Sequence, residues 1–220
     1  MSIGERTIGL DRRQGRGPLG RLWAALTSPT ARWSLGFLLA AGFISGIAFW
    51  GAFNWGMEMT NNETFCLTCH EMERNVYREY RGSIHDTNRS GVRATCPDCH
   101  VPHPWLYKMK RKIQASNEVL HKILGSIDTR EKFENKRIEL ATHVWTAMKE
   151  TDSRECRNCH NFAAMDLSRQ QARARLRHSE AEDQGKTCID CHKGIAHQLP
   201  KGAFNAEKEL NETWNAVHSK

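Results

Sequence analysis

The chain has 220 residues and a net charge of +7, long enough for one domain and a short anchoring segment. The charge does not point to nucleic acid, because it is concentrated at one end. Arg6, Arg12, Arg13, Arg16, Arg21 and Arg32 stand against Glu5 and Asp11 in the first 32 residues, a net of +4 that leaves +3 from Glu58 onward.

Residues 33–57 carry no charge between Arg32 and Glu58. As a helix rising about 1.5 Å per residue, this stretch reaches about 37 Å, enough to cross a hydrocarbon core of about 30 Å. Trp33, Trp50 and Trp55 fall near its ends, where indole rings favour the interface. It is longer than the apolar region of a signal peptide, and Ala52-Phe53-Asn54-Trp55 is a poor cleavage site. An uncleaved anchor in the lipid bilayer is expected. Arginines precede it and Glu58, Glu63, Glu71 and Glu73 follow it, which puts the N-terminus in the cytoplasm and the remainder outside. Arg12-Arg13 reads as part of the basic flank rather than as a twin-arginine signal. Gly42-x-x-x-Gly46 offers a surface for a second helix, which leaves a homodimer open.

Four Cys-x-x-Cys-His motifs come next: Cys66, Cys69 and His70; Cys96, Cys99 and His100; Cys156, Cys159 and His160; Cys188, Cys191 and His192. They use all eight cysteines. This is the spacing of covalent haem c attachment, two thioether cysteines and a histidine that reaches the iron. Two all-thiolate zinc sites would also consume eight cysteines, but they give no reason for a histidine after every pair. Contiguous Cys-x-x-Cys pairs also make poor disulfide staples between distant loops. Four covalently bound haem c groups are therefore expected. Their propionates offset the remaining positive charge, since each ferric bis-imidazole haem contributes roughly one negative charge.

The motifs form a repeat. Cys66 to Cys96 is 30 residues and Cys156 to Cys188 is 32. The second motif of each pair reads Thr-Cys-x-Asp-Cys-His, beginning at Thr95 and Thr187. A lone histidine precedes each (His85, His178) and another follows (His103, His197). A duplicated two-haem module accounts for this pattern. It makes those four histidines candidate second axial ligands, although spacing does not say which serves which iron. His121, His143 and His218 do not recur and read as solvated or packing residues. Met72, two residues after His70, is a competing ligand for the first iron or a packing side chain.

Between the halves, Leu106, Met109, Ile113, Leu120, Ile123/Leu124 and Ile127 recur at helical spacing after Pro102 and Pro104. Lys108, Lys110, Arg111 and Lys112 lie on the early turns. A second helix is predicted over 131–149, with Phe133, Leu140, Val144/Trp145 and Met148 on one face, and a third over roughly 163–177. No strand is predicted. The expected fold is mainly α with extensive loops, built around haems that supply much of the core. Its expected divisions are a basic tail (1–32), the anchor (33–57), two dihaem modules (58–127 and 128–200) and a C-terminal tail (201–220).

The anchor, the four motifs and the strings Ser83-Ile-His85, Cys96-Pro-Asp-Cys-His-Val-Pro-His103 and Cys188-Ile-Asp-Cys-His-Lys-Gly-Ile-Ala-His197 resemble the NapC/NirT family over about residues 30–200. The resemblance implies a tetrahaem quinol dehydrogenase passing electrons from membrane quinol, menaquinol or ubiquinol, to a periplasmic reductase. Nitrate reductase is the expected partner. It also implies that Met72, rather than His70, binds the first iron, as in the nitrite-reductase branch. That branch has a lysine and a carboxylate bordering the quinol pocket; Lys112 and Glu118 are the matching candidates. Quinol oxidation is expected near the first haem, because Cys66 follows Met57 by nine residues. Glu118, Glu71 or a nearby lysine would take the protons. Two alternatives stay open: an anchored multihaem reductase acting directly on nitrite or a similar oxyanion, and a passive electron-transfer tether without a quinol site.

Overall fold

The structure is a computed structural model in which residues 17–27, 32–181 and 183–218 are described. Arg6, Arg12, Arg13 and Arg16, with Glu5 and Asp11, lie outside them. The chain divides after Asn54 into two units. The described residues form helices, turns and loops, and none is in a strand, as the sequence predicts.

The first unit holds α1 (Pro18–Thr27) and most of α2 (Leu35–Met59). α1 falls inside the expected basic tail, where the sequence predicts no helix. The α2 helix has 25 residues and buries none of them within the protein. Its apolar side chains are therefore free to face lipid, and it is long and apolar enough to cross a membrane. It begins two residues later than expected because the Ser34 hydroxyl accepts the Phe37 N–H at 3.2 Å. It runs on to Met59 because Glu58 has a partner, Lys108 Nζ at 2.6 Å.

The second unit runs from Trp55. Asn62 caps α3 (Glu63–Cys66), its side chain accepting the Phe65 N–H at 2.8 Å. A π-helical stretch, Met72–Tyr77, passes into α4 (Arg78–Tyr80). Then follow α5 (Cys96–His100), α6 (Trp105–Ile123), α7 (Arg130–Glu150), α8 (Arg154–Arg157), α9 (Ala172–Ala181), α10 (Cys188–Cys191) and α11 (Ala203–His218). The α6 helix stops short of Ile127 because Gly125, at φ +64°, takes the left-handed conformation that closes a helix. The helix expected over 163–177 is two 3-10 turns followed by α9. Asn161 and Asp166 each accept the N–H two residues on, at 3.1 and 3.0 Å. Such local bonds compete with helix propagation.

The expected C-terminal tail is instead α11, which packs on α7. Trp145, Ile189 and Ala203 form a small core with Ile138, Ala141, Met148, Ala206 and Leu210 around them. His218, read as a solvated or packing residue, stacks on Trp214 at 4.0 Å. Side-chain contacts cross the boundary expected at 127/128. Arg137 Nη1 on α7 donates to Glu79 Oε1 on α4 at 2.8 Å, and the Gln198 N–H donates to Glu79 Oε2 at 2.9 Å. The two halves interlock.

Candidate haem and quinol sites

Each Cys-x-x-Cys-His motif is entered through a short helical turn. In α5, Asp98 Oδ2 accepts the Thr95 N–H at 2.7 Å and its hydroxyl at 2.6 Å. In α10, Asp190 Oδ2 accepts the same two donors from Thr187 at 2.8 and 3.2 Å. These are reciprocal capping boxes, and they explain the recurrent Thr-Cys-x-Asp. The third motif is entered through Asp152 and Ser153, both left-handed at φ 50° and 49°, a conformation costly for residues other than glycine. Ser153 is fully buried, and its hydroxyl accepts the Ile189 N–H at 3.1 Å. That bond ties the third motif to the fourth. The first motif is followed at once by the π-helical stretch beginning at Met72, a distortion found most often at functional sites.

The second cysteines of the motifs are not equivalent. Cys99 and Cys191 lie within α5 and α10, whereas Cys69 and Cys159 lie beyond the ends of α3 and α8. The difference follows from the missing Thr-x-x-Asp box, since neither the first nor the third motif has an aspartate ahead of its second cysteine. The Cys69 carbonyl accepts the Met72 and Glu73 N–H groups at 2.9 and 3.2 Å, which starts the π-helical stretch from the motif itself. The Cys159 N–H donates to the Cys156 carbonyl at 3.2 Å, and this cysteine is exposed while Cys69 is partly buried. Both are therefore accessible for thioether attachment, although no helix of their own holds them.

The motifs are juxtaposed in pairs. A hydrogen bond from the Cys96 thiol holds Cys66 down to about 7 and drives Cys96 up. Cys188 is likewise held down to about 6 by its bond with Cys156, which rises. Burial raises Cys99, with Asp98 and then Cys159 adding to it. A thioether has no such proton, so these titrations belong to the chain before attachment. Among the described residues no group of three His, Cys, Asp or Glu side chains converges to hold a metal ion.

The histidines do meet, two at a time. His100 and His197 have ring centroids 6.3 Å apart, His85 and His160 6.2 Å, and His178 and His192 5.8 Å. Two imidazoles sharing one iron, each bonded at about 2 Å, stand about 6 Å apart centre to centre. For His178 and His192 the facing atoms are Nε2 and Nε2, at 3.5 Å. Two rings are fixed from behind: His178 Nδ1 donates to Gln170 Oε1 at 2.6 Å, and His197 Nδ1 to the Val76 carbonyl at 3.2 Å. Such a bond leaves Nε2 with its lone pair free for a metal. His85 Nδ1 is buried and has no hydrogen-bond partner. Its loop is pinned by Tyr80, whose hydroxyl donates to the Ala94 carbonyl at 2.7 Å. Burial pushes His100 down to about 4 and also lowers His192 and His197, so all three are neutral, the ligating form. These features fit an axially ligated haem at three of the four motifs.

The other candidates stand apart. His103 is exposed, 3.9 Å from Asp98 Oδ1, with no motif histidine facing it. His70 is half-exposed, its Nε2 3.4 Å from Glu71 Oε1. Glu71 is buried and receives Lys122 Nζ at 2.5 and 2.7 Å. Burial alone would raise its carboxyl, but Lys122 holds it below the ordinary range. Met72 is partly buried. Lys112 and Glu118 are not brought together, because six residues place them about 120° apart around a helix. Lys112 Nζ donates to the Thr60 carbonyl at 2.7 Å and its hydroxyl at 3.0 Å, and burial lowers its pKa. Glu118 is exposed and pairs with Arg111 at 2.7 Å. The carboxylate on Lys112's side is Glu58. Sequence reasoning missed the roles of Gln170, Thr60 and Glu58, and none of them carries a local signal.

Short helical turns presenting paired cysteines, with imidazoles opposed at iron-spanning distance, define a multihaem c-type cytochrome. The NapC/NirT cytochrome c family, N-terminal region, matches residues 28–202, and the chain belongs to that family. It is 54% identical to the denitrification system component NirT of Stutzerimonas stutzeri over 86% of this chain and 94% of that one. The cytochrome c-type protein NapC of Escherichia coli K12 is 55% identical over the same shares. NapC of Paracoccus pantotrophus is 57% identical over 81% of this chain and 76% of its own. No solved structure matches.

Proposed function

We propose that the chain is a tetrahaem quinol dehydrogenase. It takes electrons from membrane quinol and hands them to a periplasmic reductase, with its N-terminus in the cytoplasm. The observation that carries the reading is the set of three opposed histidine pairs beside four haem-attachment motifs. The thioethers fall to Cys66 and Cys69, Cys96 and Cys99, Cys156 and Cys159, and Cys188 and Cys191. His100 with His197, His160 with His85, and His192 with His178 would each hold one iron. The first motif has no histidine opposite it, and His70 is turned to Glu71, which favours Met72 as its ligand. His103 is left without an iron. Bound haem supplies one-electron transfer at each motif.

The protein's own residues do the rest. Gln170 and the Val76 carbonyl keep His178 and His197 in the ligating tautomer. Lys112, beside Cys66 and close to the end of α2, orients a quinol hydroxyl. The Glu58 carboxylate receives its proton and passes it to periplasmic water. Three closed histidine pairs leave little room for direct oxyanion reduction. The relatives' names, a denitrification component and NapC, favour a nitrogen-oxyanion reductase as partner, nitrate reductase first. The test is reduction of the purified chain by a quinol analogue. Rapid reduction, slowed in Lys112→Met, is expected. No reduction in the wild type would refute the quinol site.

A further inference from the structure

The α6 helix has one face tied to the rest of the second unit and another that none of the described residues covers. Lys108 reaches Glu58, Lys112 reaches Thr60 and Lys122 reaches Glu71. A quarter-turn away, Arg111 Nε donates to the His100 carbonyl at 3.2 Å, and the Arg154 guanidinium lies 4.4 Å from the Tyr107 ring centre. The opposite face carries Leu106, Ile113, Leu120 and Leu124, at the spacing of a single helical stripe. They are 50 to 74% exposed. A stripe of this kind, running the length of a helix of about 28 Å, marks an interaction surface rather than a face turned to water.

We propose that this face of α6 lies in the headgroup–acyl boundary of the bilayer, as a second, monotopic membrane contact beside the spanning helix. Two observations choose lipid. First, α6 is fastened through Lys108 and Lys112 to Glu58 and Thr60, where the apolar segment Leu35–Met59 gives way to polar chain. Second, an exposed Lys110 borders the stripe, a cation placed for anionic headgroups. The polar remainder of the helix, with four basic residues between 108 and 112, suits a helix lying on a membrane rather than spanning it. The inference does not depend on the quinol reading.

The test uses the full haem-loaded chain, one copy per lipid nanodisc, with a phosphatidylglycerol-containing bilayer doped with a diazirine-acyl lipid. After photolysis, adducts are mapped by mass spectrometry, with Leu35–Met59 as the positive control. We expect adducts on residues 105–124 at least about fivefold above those on α9, falling by a similar factor in Ile113→Asp/Leu120→Asp with haem content unchanged. If that variant fails to load haem, Ile113→Gln alone is read in the same way. Labelling of 105–124 no higher than α9 in the wild type would overturn the proposal. So would labelling that the variants leave untouched. Protection of this face seen only in discs holding two copies would assign it to a second chain instead.

Discussion

The segments 95–103 and 187–197 begin alike and end differently. Both open with Thr-Cys-x-Asp-Cys-His, both close a capping box, and both are followed by a further histidine. Yet His197 faces the histidine of the other half, His100, at 6.3 Å, while His103 faces no ring. The upstream histidines part company too. His178 meets the motif of its own segment, whereas His85 crosses to His160. Even the shared aspartate has two environments. Asp190 is buried against Lys149, while Asp98 is half-exposed with no lysine. Duplication preserves what a short turn needs in order to form. Long-range packing decides which ring meets which, and here it pairs rings across the two halves.

The largest expected effect comes from breaking that exchange. His197→Ala should remove one low-spin bis-histidine signal and slow electron throughput from quinol analogue to oxidant by a factor on the order of 10–100 or more. His103→Ala should leave both unchanged. Parallel EPR spectra and turnover measurements on the two variants check this. If the two effects were reversed, the ligand assignment would be wrong.

The aspartates should separate next. Lys149→Ala strands a buried carboxylate and should cost about 3–5 kcal/mol. Asp98→Asn weakens an exposed cap and should cost about 1 kcal/mol. Thermal unfolding in detergent, at one scan rate for all variants, gives the ranking.

Acid should sharpen the same contrast. Burial acts to raise Asp190 and Glu79, but Lys149 and Arg137 hold both carboxyls below their ordinary values. A carboxylate depressed in the fold stabilises it above the unfolded value of about 4, and that contribution disappears as the pH falls through the folded value. The Tm should therefore be flat from pH 7 to about 5 and drop progressively below about 4. In Lys149→Ala, which lacks the ion pair, the acid-side drop should be smaller. An equal drop in both proteins would contradict the role given to Lys149.

The smallest effect concerns Gln170. Losing its bond to His178 should cost about 1 kcal/mol. It should shift the EPR signature of the haem ligated by His192 while leaving the other signals in place.

What could be read from the sequence follows the range of the interactions. The Cys-x-x-Cys-His motifs were legible because each lies within five consecutive positions. The spanning helix was legible because the bilayer imposes length and apolarity on one continuous stretch. The histidine pairs were not, since His85 and His160 are 75 residues apart and only the folded chain brings them together. The α11 helix was missed because its core contacts, Ala203, Ala206 and Leu210, are sparse and meaningful only against Trp145 on α7. The family resemblance offered Lys112 and Glu118 as a pair, but helical geometry sends Glu118 to Arg111. Lys112 finds Thr60, 52 residues upstream.

The most direct test of the central claim, four irons of which three are held by histidine pairs that draw on both halves of the repeat, is redox-titrated low-temperature EPR on the detergent-solubilised chain with haem quantified by pyridine haemochrome. Four haems per chain should appear, three with bis-histidine signatures and one, nearest the anchor, with a different axial set. A haem count below four, or four equivalent bis-histidine centres, would contradict the account.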